Sequence, residues 1–106
     1  MTNKFPRIGY LVCNYLKYNE SEKSSFLKFR NAAGNIVFGF FHREDMIMSA
    51  DGKNALLEVL VEKEHLNGSV LIHFLQETPI YGIPPTGNQI VKKELINYQE
   101  EIERPN

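Results

Sequence analysis

Alternation of apolar and polar residues predicts strands through the first half of the chain. Residues 7–18 are rich in aromatic and β-branched side chains on both parities, which is typical of a strand covered on both faces. Residues 26–31 and 36–42 are two shorter apolar runs, and Gly34 and Asn35 between them adopt positive φ at little cost. Two strands joined by such a turn form a β-hairpin.

The side chains of this hairpin divide between the two faces of the predicted sheet. In its first strand, Leu27 and Phe29 share one face because successive side chains point to opposite sides. The opposite face carries Phe26, Lys28 and Arg30. The hairpin therefore has one apolar face that suits a core, and one face that combines an aromatic ring with two cations.

Residues 54–66 fit both a helix and a strand. A helix would begin at Asn54 and stop at Asn67-Gly68, and it is favoured because Leu, Glu and Lys outnumber β-branched residues in the segment. A strand is the alternative, because apolar residues alternate with glutamates and Asn-Gly is a common hairpin turn. We expect the helix. Residues 70–76, by contrast, predict a strand that lies centrally in its sheet.

The last quarter of the chain predicts an irregular segment followed by a helix. Residues 78–87 contain three prolines and two glycines and so predict no regular element. Asn88 is placed to cap a helix that runs to about Glu103. Its apolar face would consist of Val91, Leu95, Tyr98 and Ile102. No repeat with a period of roughly 20 to 50 residues is evident along the chain.

The order of these elements predicts a single α+β domain over residues 1–106. Strands come first and the helix comes last, so we expect a curved antiparallel sheet of four to five strands with a C-terminal helix. A second helix at 54–66 is included if that segment is helical. The alternative is a small β-barrel with a C-terminal helix.

Composition narrows the class of protein. The chain has 106 residues, 42% of them hydrophobic and 24% charged, which is typical of one globular domain and not of a disordered chain. The single cysteine cannot form an intramolecular disulfide. No apolar run reaches the roughly 18 residues of a membrane span, and no secretory signal is evident, so we expect a cytoplasmic protein without membrane contact. The small size is typical of bacterial and phage proteins.

Charge is distributed unevenly along the chain. Residues 1–43 hold seven basic and two acidic residues, whereas residues 44–106 hold five basic and eleven acidic residues. The two parts therefore carry opposite net charge although the whole chain is close to neutral. This distribution favours a basic surface that contacts an anionic partner, or opposite surfaces through which copies of the chain associate.

The sequence contains no arrangement that is typical of a catalytic or metal site. His42, His65 and His73 stand on separate elements with no ligand spacing, so we expect no metal and no cofactor. Cys13 lies among apolar residues and is expected to be buried and inert. The carboxylates of the second half are expected at solvent-exposed positions. Exposure leaves the pKa values of neighbouring carboxylates similar, whereas a catalytic acid and base pair needs two different pKa values. The chain is therefore expected not to be an enzyme.

Two surfaces are candidates for binding a partner. The first is a basic and aromatic sheet face, in which cations and flat rings from adjacent strands would combine. Its residues are Tyr15, Lys17, Phe26, Lys28 and Arg30. The second is the proline-rich segment, which is apolar for a surface loop and loses little entropy on docking. Its residues are Tyr81, Ile83 and Pro84.

Three hypotheses of function follow from these surfaces. The first is a small non-catalytic interaction module that acts by protein-protein contact as a regulator, inhibitor or oligomer subunit, with another protein or a second copy as partner in a homo-oligomer. The second is a single-stranded nucleic-acid-binding protein that uses the basic and aromatic face. The third is a small-molecule-binding α+β domain whose pocket lies between sheet and helix and reaches Tyr81 and His73.

Overall fold

The computed structural model describes residues 5–20, 23–75, 80–81 and 88–98. In these ranges the chain is nearly all antiparallel sheet, with 68% strand and no α-helix. The nine strands found there belong to one sheet. They are β1 (Arg7–Asn19), β2 (Ser24–Arg30), β3 (Ile36–His42), β4 (Met46–Met48), β5 (Asn54–Glu64), β6 (Ser69–Phe74), β7 (Ile80–Tyr81), β8 (Asn88–Lys92) and β9 (Ile96–Tyr98).

The sheet curls into a half-barrel of six antiparallel strands. Their order is β3-β2-β1-β5-β6-β8, and β7 adds to the edge at β3. The two longest strands, β1 and β5, lie at the centre and pair with each other. The short strands β4 and β9 lie off this path, where β4 pairs with β5 and β9 pairs with β1.

The strand order divides the chain into two equivalent halves. The first half contains β1, β2, β3, a 3-10 turn at Arg43–Asp45, and β4. The second contains β5, β6, β8, a 3-10 turn at Lys93–Leu95, and β9. Each half is thus a long strand, two shorter strands, a 3-10 turn and a final short strand. The structure therefore repeats one arrangement of elements, although no repeat is evident in the sequence.

Local irregularities occur at equivalent places in the two halves. The pairing of β1 with β2 is interrupted by a bulge at Leu16, and the pairing of β5 with β6 by a bulge at Glu62, 46 positions later. The turns that follow have a residue at positive φ in the same place, Lys23 at 52° and Gly68 at 84°. Because a bulge is a specific geometric feature, the match indicates one backbone design used twice.

Each half completes the sheet of the other half. In the pairing of β1 with β5, Leu11 lies opposite Leu57, and these two residues are also equivalents of each other. Leu11 pairs on its other side with Ile96 of β9, as Leu57 does with Met46 of β4. The pair Leu11 and Leu57 therefore lies on the pseudo-twofold axis that relates the halves, and both side chains are buried.

The core fills the inside of the curl and draws on both halves. Equivalent positions contribute equivalent side chains, for example Phe29 and Phe74, whose ring centroids are 6.0 Å apart. The ring of Phe41 also lies 5.3 Å from that of Phe74. The buried core residues are Leu11, Cys13, Leu27, Phe29, Val37, Phe41, Ala55, Leu57, Val59, Val61, Val70, Ile72, Phe74, Val91 and Ile96.

The tip of the β2–β3 hairpin folds against β8. The backbone N–H of Ala32 donates to the carbonyl oxygen of Ile90 at 2.8 Å. The buried amide of Asn31 donates to the side-chain oxygen of Gln89 at 3.4 Å, and its own oxygen accepts from the backbone N–H of Asn35. These bonds satisfy two buried amides and connect the first half to the far strand of the second.

A short ordered turn joins the two halves. The carboxylate of Asp51 accepts from the Ser49 hydroxyl and from the backbone N–H of Lys53 at 2.9 Å. These hydrogen bonds, that from Ser49 foremost, lower the pKa of Asp51. The N–H of Asn54, the first residue of β5, donates to the Ser49 hydroxyl at 3.1 Å. The turn is therefore fixed by its own polar side chains.

The predicted helix over residues 54–66 is wrong, because Asn54–Glu64 is strand β5. Alternation decides the structure here: Ala55, Leu57, Val59 and Val61 all point into the core and are at most 1% exposed. The helix propensity of Leu, Glu and Lys is a weak preference that burial between β1 and β6 overrides.

The predicted C-terminal helix is also wrong, and with it the α+β class and the barrel with a C-terminal helix. Residues 88–98 form β8, the 3-10 turn at Lys93–Leu95, and β9. The apparent helical spacing of Val91, Leu95 and Tyr98 arises because the 3-10 turn changes the parity between two strands. The remainder of the predicted helix, residues 99–103, lies outside the described residues.

Two further predictions about the sheet need correction. The sheet has more than the predicted four to five strands, because both β5 and the C-terminal residues 88–98 contribute strands. The segment 78–87 was expected to have no regular element, yet Ile80–Tyr81 forms β7 and pairs with Phe38 and Gly39. Ile80 and Tyr81 both carry a backbone N–H, so these two residues can pair at a sheet edge although prolines are frequent in the segment.

The position of Leu11 on the axis generates a stability prediction. Leu11→Ala removes a fully buried side chain from the contact between halves, and should lower the free energy of unfolding by about 2 to 5 kcal/mol. Leu16→Ala, in the same strand but 44% exposed, is the control and should cost less than about 0.5 kcal/mol. Chemical denaturation measures both. Equal losses for the two variants would contradict the described packing.

Candidate functional site

The outward face of the first half carries a cluster of phenylalanines bordered by lysines. The register places Phe26 between Lys17 of β1 and Phe40 of β3. In the next row, Lys28 lies opposite Phe38. Directly opposed residues of antiparallel strands share a face, so these five side chains form one surface, which we name the first-half face.

The three rings of the first-half face contact one another and remain partly exposed. The ring centroid of Phe26 lies 4.7 Å from that of Phe40 and 5.5 Å from that of Phe38. Their planes are inclined by 47° and 62°, so the rings pack edge to face instead of presenting parallel surfaces. Lys17 is exposed and Lys28 is half-buried beside them. The result is an apolar centre with cations at its border.

The bulge at Leu16 separates two residues that the sequence places together. Tyr15 and Lys17 have the same parity and were expected on one face. Tyr15 instead pairs with Leu27 and packs against the core, whereas Lys17 pairs with Phe26 on the outward face. A bulge adds one residue to the strand and so reverses the side to which later residues point. Tyr15 is therefore not on the first-half face.

The other predicted binding residues lie apart from this cluster or outside the description. Arg30 is exposed at the end of β2, and its guanidinium donates to the carbonyl oxygen of Gly34 in the hairpin turn. The backbone of Tyr81 pairs with Phe38 at the sheet edge. Ile83 and Pro84 lie outside the described residues. Phe38 and Phe40 were not among the predicted site residues, although the parity of their strand already placed them on the face of Phe26.

The equivalent face of the second half differs in its charge. There His73 lies 3.8 Å from the carboxylate of Glu62. The equivalent of Glu62 in the first half is Leu16, which has no charge. The second half also pairs Lys93 with Glu64 at 3.9 Å. Glu64 lies opposite the buried Val70, as its equivalent Tyr18 lies opposite the buried Ser25, so this second pair belongs to the other side of the sheet. The first-half face therefore carries its lysines without the carboxylate that accompanies the basic group of the second half.

Two shallow depressions lie on the surface of the described residues. One, of about 400 Å³, lies between the β2–β3 turn and the end of β8. The other, of about 460 Å³, lies at the end of β3 beside the first-half face. The predicted pocket between sheet and helix has no counterpart, because residues 88–98 are not helical, and the side chain of His73 is exposed beside Glu62.

The potential metal ligands and the single thiol of the described residues were the remaining candidates for a reactive site. They contain no group of three or more His, Cys, Asp or Glu side chains that could hold a metal ion. Cys13 is buried in the core, and its burial raises the pKa of the thiol, which disfavours the reactive thiolate. Its thiol donates a hydrogen bond to the carbonyl oxygen of Leu11, with Sγ 3.6 Å from that oxygen.

No known protein family matches this chain, and no curated protein or solved structure is detectably similar to it. Within the described ranges, no helix is long and apolar enough to cross a membrane. The function must therefore be argued from the surface of the molecule.

Burial of Cys13 predicts a thiol that reacts only after unfolding. At about pH 8, the native protein should react with Ellman's reagent at least about 100-fold more slowly than the protein in guanidinium chloride, because the thiolate is scarce and inaccessible in the core. Absorbance of the released thiolate measures both rates. Rapid reaction of the native protein would show that the core around β1 opens readily.

Proposed function

We propose that this chain is a small non-catalytic module that binds an acidic protein through its first-half face. The observation that carries the proposal is the cluster of Phe26, Phe38 and Phe40, partly exposed at the centre of a sheet face with lysines at its border. Aromatic anchors surrounded by polar residues are the common composition of protein interfaces.

Charge supports an acidic partner. Lys17 and Lys28 border the rings, and the position that holds Glu62 in the second half holds Leu16 here. A partner that brings aliphatic side chains to the rings and carboxylates to the lysines would complement both features. Opposite charges at the border raise the association rate and select the partner, while the rings supply most of the affinity.

The arrangement of the rings favours a protein over single-stranded nucleic acid. Bases stack on flat aromatic surfaces that stand apart along a strand. The three phenylalanines instead pack against each other at inclinations of 47° and 62°, which closes much of each ring face.

Selection from a displayed peptide library tests this function. Peptides enriched on the wild-type protein should combine aliphatic or aromatic residues with Asp and Glu. Phe40→Ser and Lys17→Glu should each weaken the selected peptides at least tenfold, about 1.4 kcal/mol of binding free energy. The controls are the equivalent changes in the second half, Ile90→Ser and Lys63→Glu, which should leave the affinity unchanged. Isothermal calorimetry measures all four variants.

Three results would decide against or redirect this proposal. Equal loss of affinity in both halves would show that the first-half face is not the binding surface. Enrichment of basic peptides would contradict the acidic partner, and tight, salt-sensitive binding of an oligonucleotide would favour the nucleic-acid function instead. Dimerisation in analytical ultracentrifugation that Lys17→Glu abolishes would support the proposal and identify the partner as a second copy.

A further inference from the structure

A depression at the end of β3 brings cationic and aromatic groups together from three elements. It has a volume of about 460 Å³ and adjoins the first-half face. The residues that line it are Tyr18, Lys23, His42, Arg43 and Glu44. They come from the end of β1, the β1–β2 turn, and the junction of β3 with the 3-10 turn.

Two of the basic residues of this depression, Arg43 and Lys23, are absent from the ion pairs found in the described part of the chain. The guanidinium carbon of Arg43 lies 4.9 Å from the centroid of the Tyr18 ring. Stacking holds the guanidinium by its flat face and leaves its N–H groups at the edge, where they can donate to an oxyanion.

The equivalent place in the second half shows what is missing. There the position of Tyr18 is held by Glu64, whose carboxylate lies 3.9 Å from Lys93, the equivalent of Arg43. Glu44 has an equivalent in Glu94, so it does not account for the difference. The second half therefore holds a carboxylate at the position equivalent to Tyr18, within ion-pair distance of its basic group, whereas the first half holds the Tyr18 ring there.

The backbone of Lys23, in the β1–β2 turn, is strained. Lys23 has φ of 52°, a left-handed conformation that is unfavourable for a residue with a side chain, and its equivalent in the second half is Gly68. Glycine would fit this turn without strain. A lysine at a position that favours glycine indicates that its ammonium group has a binding role.

A buried hydroxyl lies beside the depression. Ser24 is opposite His42 in the register, and its hydroxyl has no hydrogen-bond partner in the described structure although the residue is only 5% exposed. Its equivalent, Ser69, donates to the side-chain oxygen of Asn67 at 2.6 Å. A buried donor without a partner is costly, so this end of the first half is less well satisfied than its equivalent in the second half.

We propose that this depression binds a small phosphate-bearing molecule through its phosphate group. Arg43 and Lys23 supply fixed charge and hydrogen-bond donors, and the Tyr18 ring positions the guanidinium. The volume accommodates a phosphate ester of a small molecule. The proposal goes beyond protein binding and uses different residues from the three phenylalanines, so either can fail without the other.

An NMR titration tests the site with two probes, inorganic phosphate and phenyl phosphate, each against sodium chloride of equal ionic strength. Amide shifts should saturate and be confined to residues near Tyr18, Lys23, Ser24 and Arg43. Phenyl phosphate should bind more tightly than inorganic phosphate if the ligand is an ester. Equal affinity for the two probes would identify free phosphate as the ligand and also support the site.

Exchange of the two equivalent residues makes the test specific. Tyr18→Glu introduces the carboxylate that the second half has at this position and should weaken phosphate binding at least tenfold. Arg43→Gln should do the same and serves if the first variant folds poorly. Glu64→Tyr, the reverse change in the second half, should leave binding at the first half unchanged. Shifts spread over both halves, or retained in Tyr18→Glu and Arg43→Gln, would overturn the proposal.

Discussion

The structure depends on an exchange of short strands between its two halves. Each half ends in a strand that pairs with the first strand of the other, and both exchanges meet at the contact of Leu11 with Leu57. Neither half can satisfy the backbone of its long strand by itself, since an unpaired edge leaves N–H and C=O groups without partners. The core and the polar contacts at Asn31 and Gln89 then hold the curled sheet together.

The two halves share one backbone arrangement, but their outward faces carry different side chains. Inside the curl, equivalent positions hold similar side chains, such as Phe29 and Phe74, because packing density limits what each position accepts. Outside it, Leu16 stands where the second half has Glu62. Packing does not restrict solvated positions in this way, so charge can change there at little cost in stability. The difference in surface chemistry is therefore informative about binding.

The alternation of apolar and polar residues made most strands of the first half predictable. The bulge, the 3-10 turn and the repeat could not be predicted, because the residues that form them have no distinctive local pattern. The faces of the β2–β3 hairpin follow from parity alone. The separation of Tyr15 from Lys17 does not, because a bulge is set by the partner strand. The 3-10 turn at Lys93–Leu95 imitated helical spacing between two strands. The repeat was hidden because equivalent residues seldom coincide and the intervals between them vary.

The arrangement around Tyr98 has a consequence for the connectivity of the chain. Tyr98 pairs with Gly9, its ring lies 6.5 Å from that of Phe5, and the guanidinium of Arg7 stacks on it at 3.7 Å. The end of β9 thus lies beside the start of β1, as the end of β4 lies beside β5 across the Ser49–Asn54 turn. A circularly permuted gene, opened within that turn and closed between Tyr98 and Phe5, would keep every strand neighbour.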